Sequence, residues 1–239
     1  MAESASTQGT VSTARLILLP ALISAAVTTL RLVGELQHWS SRWFSTETGG
    51  IIPDGVSWVI GISWMAPLFG IYFALRLAPE HGPAHPAKAV GWSLAGVFVL
   101  LSFRYFVLPR INTGFPRILI FIWIAMAVPA LLQAIGWPAL FTTLLAYGLA
   151  ARVPVVIVMF FALHGEWGTH YDYVGMPAEF QMAFWPRFFW LAFFPQLIFW
   201  VGFTILTGAL TGTLAYAIFG KRLSHRRKAQ SAVNQGEAV

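Results

Sequence analysis

The sequence predicts an all-α fold: a polytopic transmembrane helical bundle of six spans. Three observations carry this. Hydrophobic residues make up 57% of the 239 residues and charged residues only 10%, against roughly 25% charge in an average soluble domain. Mean hydropathy is +0.69. Charge-free stretches are long enough to cross a bilayer core, which takes about 20 residues at a rise of about 1.5 Å each. A soluble domain needs more polar surface than this chain has. Runs this long and unalternating are helices rather than barrel strands, because lipid tolerates no open sheet edge.

The spans follow in order. Leu16 to Leu30 is free of charge and then meets Arg31 and Glu35, predicting a span over 16–36. Arg15 ahead of it gives the outline of a signal peptide, but Ser24-Ala25-Ala26 is a weak cleavage pattern, so the segment reads as a span. Gly55 to Leu75, 21 residues, predicts 56–77. Ala89 to Phe103 continues past Arg104 to Leu108, where Pro109 and Arg110 close it, predicting 88–108. Ile118 to Ala151 is 34 residues and continues past Arg152 to Leu163. That is right for two helices, with Gly136-Trp137-Pro138 as the turn and proline in the first turn of the next helix. The pair reads as 117–135 and 139–163. The last run, Phe188 to Gly220, has 33 residues and is divided by Pro195 and Gln196, giving a span over 196–219. Residues 177–194 then read as an interfacial or re-entrant aromatic piece. The alternative is one long tilted helix from about Phe188.

The organisation is therefore a disordered N-terminus (1–13), one transmembrane domain (14–220) with an outer aromatic-rich loop near 164–195, and a basic cytoplasmic tail (221–239). Basic residues near span ends set the orientation. With both termini inside, Arg15, Arg76, Lys88, Lys221, Arg222, Arg226, Arg227 and Lys228 lie inside, and Arg42, Arg110, Arg117 and Arg187 outside. The expected location is a bacterial cytoplasmic membrane, with the tail against anionic lipid. Trp39, Trp43, Phe44, Trp58, Trp167, Tyr171 and Tyr173 stand where interfacial aromatic belts belong.

Small residues four apart mark close helix contacts: Ala66, Gly70 and Ala74 on the second span, Thr204, Gly208 and Gly212 on the sixth, Gly91 and Ala95 on the third. The Gly208–Gly212 pair points first to packing within the chain and second to a homodimer or a partner membrane subunit. Lipids are the general partner; nothing in the tail has the fold that nucleic-acid binding needs.

Ionisable residues within spans are costly and mark sites. Arg31 and Glu35 share a helix face. Arg104 lies close enough to its helix end to snorkel. Arg152 sits near the middle of the fifth span, placed to pair with Glu35 or backbone carbonyls, or to hold an anionic headgroup or substrate. These four are the candidate substrate-binding residues. The densest chemical segment runs from His164 to Asp172. His164, Glu166, His170 and Asp172 are candidate catalytic residues as a base–acid set, or candidate ligands for a divalent metal such as zinc or iron. Their H-x-E-x3-H-x-D spacing matches no established metal motif. Glu80-His81-Gly82-Pro83-Ala84-His85 reads as a solvated turn.

Absences narrow the function. There is no cysteine, which removes disulfides, thiolate chemistry and cysteine-held iron–sulfur clusters. There is no Walker loop, dinucleotide fingerprint or nucleophile elbow. Three functions remain: a small transporter or permease for an anionic or organic solute, with intramembrane arginines as counter-charge; a membrane-embedded enzyme acting on a lipid-linked or apolar substrate through the 164–172 segment; or a non-catalytic membrane subunit. The buried arginines favour transport. The topology also predicts that Arg31, Glu35, Arg104 and the 164–172 loop gather around one outward-facing polar pocket.

Overall fold

The computed structural model describes residues 12–46, 57–172 and 181–220. The basic tail, Tyr173 and most of the N-terminal segment lie outside the described residues. The elements are α1 (Thr13–Leu36), a 3₁₀ turn (Ser57–Ile60), α2 (Met65–His81), α3 (Pro86–Arg110), α4 (Arg117–Gly136), α5 (Pro138–Gly165), a 3₁₀ turn (His170–Asp172) and α6 (Phe184–Gly220). This is an all-α, multi-spanning membrane bundle. Five of its helices, all but α2, are long and apolar enough to cross a membrane.

Two elements depart from expectation for physical reasons. The second charge-free run does not become one helix from residue 56. Ser57–Ile60 forms a 3₁₀ turn, which Trp64 braces by donating its indole N–H to the Val59 carbonyl at 3.0 Å. The helix starts only at Met65 and has 17 residues, about 25 Å at the usual rise. The expected break at Pro195 is also absent. Phe184–Gly220 is one continuous helix of 37 residues, so the long-helix alternative holds. Proline cannot donate to the carbonyl four residues before it. Here Pro195–Trp200 adopts the wider i→i+5 winding, in which the donor facing that carbonyl is the residue after the proline. The turn at Gly136-Trp137-Pro138 forms as expected, with Pro138 opening α5.

The middle of α6 packs against α2, α3, α4 and α5, and α1 lies along α5. The α2–α6 contact joins the two predicted small-residue faces to each other. A Cβ on Gly70 would stand 2.6 Å from the Gly208 carbonyl carbon, and one on Gly212 would stand 2.6 Å from the Gly70 carbonyl oxygen. Close backbone approach of this kind is the main source of helix association in lipid. The third predicted seam is not used: Gly91 has open space where a Cβ would go, and Gly96 packs on Gln133 instead. Phe73, Leu77, Leu140, Leu144, Tyr147 and Ile205 fill the interior. Leu18, Leu19, Leu22, Phe98, Phe106 and Ile124 face outward, as an apolar solvent permits and water does not.

Candidate functional site

The polar chemistry lies along one face of α1. Ser24, Thr28, Arg31 and Glu35 recur at helical spacing, while the opposite face carries Leu18, Leu22, Leu30 and Val33. Partners meet this face from α5, from the loop after it and from within α1 itself. Ser24 Oγ and Tyr147 OH are hydrogen-bonded at 2.9 Å. Tyr171 OH donates to the Thr28 carbonyl at 3.2 Å. Arg31 Nε donates to Glu35 Oε1 at 2.8 Å.

Glu35 is the hub of the loop end of this face, with only 2% of its surface exposed. Besides Arg31 it accepts the His170 backbone N–H at 2.9 Å and the His170 ring Nδ1–H, 2.8 Å from Oε2. A buried carboxylate needs this number of donors to remain ionised. Arg31 reaches on to the Ser45 carbonyl at 3.3 Å. The return of the chain at residues 37–46 depends on Gly34, where a Cβ would stand 2.7 Å from Phe44 Cγ. Burial holds the His170 imidazole below its usual value; the Glu35 carboxylate pulls the other way and the Arg31 charge reinforces the lowering. Burial likewise pushes the Tyr171 phenol up, so Tyr171 remains a neutral donor.

Asp172 organises the loop rather than facing the bundle. It accepts from Gly168 N at 2.9 Å, Thr169 N at 2.6 Å and Thr169 Oγ at 2.8 Å. Gly168 has φ 73°, a conformation open to glycine at no steric cost. His164 is exposed with its ring against Phe184. Glu166 is exposed and ends α5 in the left-handed region. The structure therefore uses His164, Glu166, His170 and Asp172 in separate places. Among the described residues no group of three or more His, Asp or Glu side chains could hold a metal ion.

Of the predicted pocket, Arg31, Glu35 and His170 come together; Asp172, on the same loop, bonds Gly168 and Thr169 instead, and Arg104 does not join them. Arg104 lies on the wide turn Phe103–Val107, exposed, with its guanidinium 5.8 Å from the ring of its neighbour Tyr105. Its helix packs on α4 and α6, whereas α1 packs on α5.

Arg152 is the second feature. It is 5% exposed and lies inside the bundle. Nη1 donates to Gln196 Oε1 at 3.3 Å, and Nη2 to Ser63 Oγ at 3.4 Å. Both bonds are longer than the usual range of about 2.7–3.2 Å. Its Nε has no partner. The guanidinium carbon stands 4.7 Å from the Trp200 ring centre, a cation–π contact. The Glu35 oxygens are taken by Arg31 and His170, so among the described residues Arg152 meets neutral groups only. The wide turn Pro195–Trp200 supplies both Gln196 and Trp200, and the irregular chain before α2 supplies Ser63.

Sequence reasoning missed Ser24, Thr28, Ser63, Tyr147, Gln196 and Trp200. Ser24 and Thr28 were visible as the continuation of the Arg31–Glu35 face, and Gln196 as a lone amide in an apolar run. A further buried node joins α3, α4 and α6: Ser93 Oγ donates to Gln133 Oε1 at 3.0 Å and accepts from Thr213 Oγ at 3.2 Å.

The fold and these bridges define a polytopic α-helical membrane protein with charged and polar side chains paired inside its bundle. No protein-family profile, no curated protein and no solved structure matches the chain.

Proposed function

We propose that this protein is a small membrane transporter or permease for an anionic or organic solute, with Arg152 as the counter-charge. One observation carries the reading. Arg152 is almost fully buried, keeps an unpartnered Nε, and is offered only neutral partners among the described residues. A charge held this way is costly in a bundle, and an anion arriving at it recovers part of that cost. The Glu35–His170–Arg31 cluster stands at the loop end of the same α1 face. In this reading α2 makes a sixth, shorter crossing, both termini are cytoplasmic by the distribution of basic residues, and the tail sits on anionic lipid. An enzyme built on the 164–172 segment has less support, because His170 is bonded to Glu35, Asp172 to its own loop, and His164 and Glu166 are exposed apart from them. A homodimer through Gly208 and Gly212 also has less, because those glycines face α2.

The test is flux. Purified protein in liposomes is assayed for acetate, benzoate, phosphate and glycerol entry by light-scattering swelling. Anion entry above that of empty liposomes is expected, and Arg152→Gln should abolish it. Equal anion flux in Arg152→Gln and the parent protein, or none above empty liposomes, would overturn the reading.

A further inference from the structure

We infer that the Arg152 site takes a monocarboxylate with an apolar or aromatic body, in preference to phosphate or sulfate; this rests on the reading that Arg152 holds an anion. The argument starts from which part of the guanidinium is free. One face is covered by Trp200, 4.7 Å away. Nη1 is anchored to Gln196. What remains is the edge formed by Nε, which has no partner, and Nη2, which holds only a 3.4 Å contact to the Ser63 hydroxyl. That edge presents two parallel N–H donors in one plane, the arrangement that matches the two oxygens of a carboxylate. The Ser63 hydroxyl can rotate from accepting to donating and so supply a third bond to the same group.

Charge selects in the same direction. Arg152 contributes one positive charge, and among the described residues no second cation bonds to this group of side chains. A carboxylate is neutralised by it. A phosphate or sulfate dianion would leave a net negative charge inside an apolar bundle, which is strongly disfavoured. A tetrahedral anion also asks for more donors than this edge provides. Gln196 cannot readily help, because its Nε2 points to the Met159 sulfur at 3.5 Å. The next turns of α5 are apolar, with Val155, Val156 and Met159 packed with Ile62 and Leu197, and the nearby Tyr147 and Tyr171 hydroxyls are engaged with Ser24 and the Thr28 carbonyl. A hydrocarbon or aromatic body suits these walls, and a hydroxylated one does not.

The experiment is ligand-dependent thermal stability of the detergent-purified full chain near neutral pH. Sodium benzoate, acetate, phosphate and sulfate are compared with chloride at constant ionic strength. Benzoate should raise the melting temperature saturably, acetate less, and phosphate and sulfate no more than chloride. Arg152→Gln should lose the benzoate response. Arg152→Lys keeps the charge without the fork and should weaken the response by about tenfold or more. Ser63→Ala, whose hydroxyl makes only a long bond in the free protein, should weaken it severalfold while melting close to the parent. This last variant keeps the test open should Arg152→Gln fail to fold. Stabilisation by phosphate or sulfate through Arg152, with benzoate inert, would overturn the monocarboxylate assignment and leave the anion site standing. A benzoate response unaltered in Arg152→Gln and Ser63→Ala, or no response to any anion, would overturn both.

Discussion

The α2–α6 seam makes a sharp mutational prediction. Consider Gly70→Ala. The added Cβ would stand 2.6 Å from the Gly208 carbonyl carbon, with the rest of that residue's backbone around it. Backbone cannot rotate aside as a side chain can. The Gly208 carbonyl oxygen and Cα lie closer still, so restoring an ordinary contact of about 3.5 Å needs at least about 0.9 Å of separation between the helices, and a gap of that size forfeits about half of a contact's attraction along the seam. Overpacking costs about 1–3 kcal/mol in general, and backbone against backbone belongs at the upper end. Alanine returns up to about 1 kcal/mol over glycine in a helix interior. The net expectation is a loss of about 2 kcal/mol, a factor of roughly 30 in the folded ratio. Gly212→Ala should be comparable, with its Cβ 2.6 Å from the Gly70 carbonyl oxygen. Gly208→Ala should cost less, because the nearest obstacle is the flexible end of Leu144 at 2.5 Å. Gly91→Ala, which meets nothing within 4 Å, is the internal control and should be neutral or slightly stabilising. The assay is reversible unfolding in mixed micelles of rising SDS content, followed by circular dichroism. Equal midpoints for Gly70→Ala and Gly91→Ala would refute the close approach of α2 and α6.

Three further outcomes follow from the polar contacts. Glu35→Ala removes the acceptor of Arg31 and of both His170 donors, so it should destabilise the fold by about 3 kcal/mol; hydrogen exchange at the His170 amide should accelerate, and unchanged exchange would count against the docking of that loop on α1. Acidification should weaken the fold through His170. Burial lowers its pKa in the folded state, so the ring is neutral in both states above about 6.5 and the unfolded chain takes up the proton first as pH falls below that value. Arg31, Glu35 and Asp172 are the charged groups acting on it, and the slope of stability against pH between about 7 and 5 should be shallower in His170→Gln. Gln133→Leu, at a position 3% exposed, removes the interhelical acceptor of the Ser93 hydroxyl and leaves it the Ala89 carbonyl; it should cost about 1 kcal/mol in the same unfolding assay, the usual scale for polar bridges between membrane helices.

The small-residue pattern shows where sequence reading holds and where it stops. Gly70 and Gly91 stand in the same kind of stripe, four residues from another small residue. Spacing identifies a face that permits close approach, and at Gly70 and Gly212 that face is used. It does not say what lies opposite: Gly91 opens outward, and Gly96, off the predicted stripe, takes the contact with Gln133. The helix boundaries behave similarly. A count of uncharged residues measures what lipid would accept, not what winds, so residues 57–64 fall within a charge-free run although they form a turn and irregular chain. At Pro195 the opposite error arises. A proline forbids one hydrogen-bond register, and a helix held on several sides adopts the next one instead of breaking.

The intramembrane charges separate by the same logic. Arg31, Arg104 and Arg152 are alike as interruptions in apolar runs, and local spacing supplied a partner only for Arg31. Arg104, near its helix end, reaches the surface through its long stem, so nothing inside the bundle has to meet it. Arg152, in the middle of the helix that lines both α1 and α6, has no such exit. Its partners come from residues 63, 196 and 200, on two other segments, and no rule of spacing links them to residue 152. Depth alone could mark Arg152 as the charge that must be answered from within. That the answer is an amide, a hydroxyl and an indole face, with Nε unpartnered, is a property of the assembled bundle, and it turns a buried arginine from a structural ion pair into a candidate anion site.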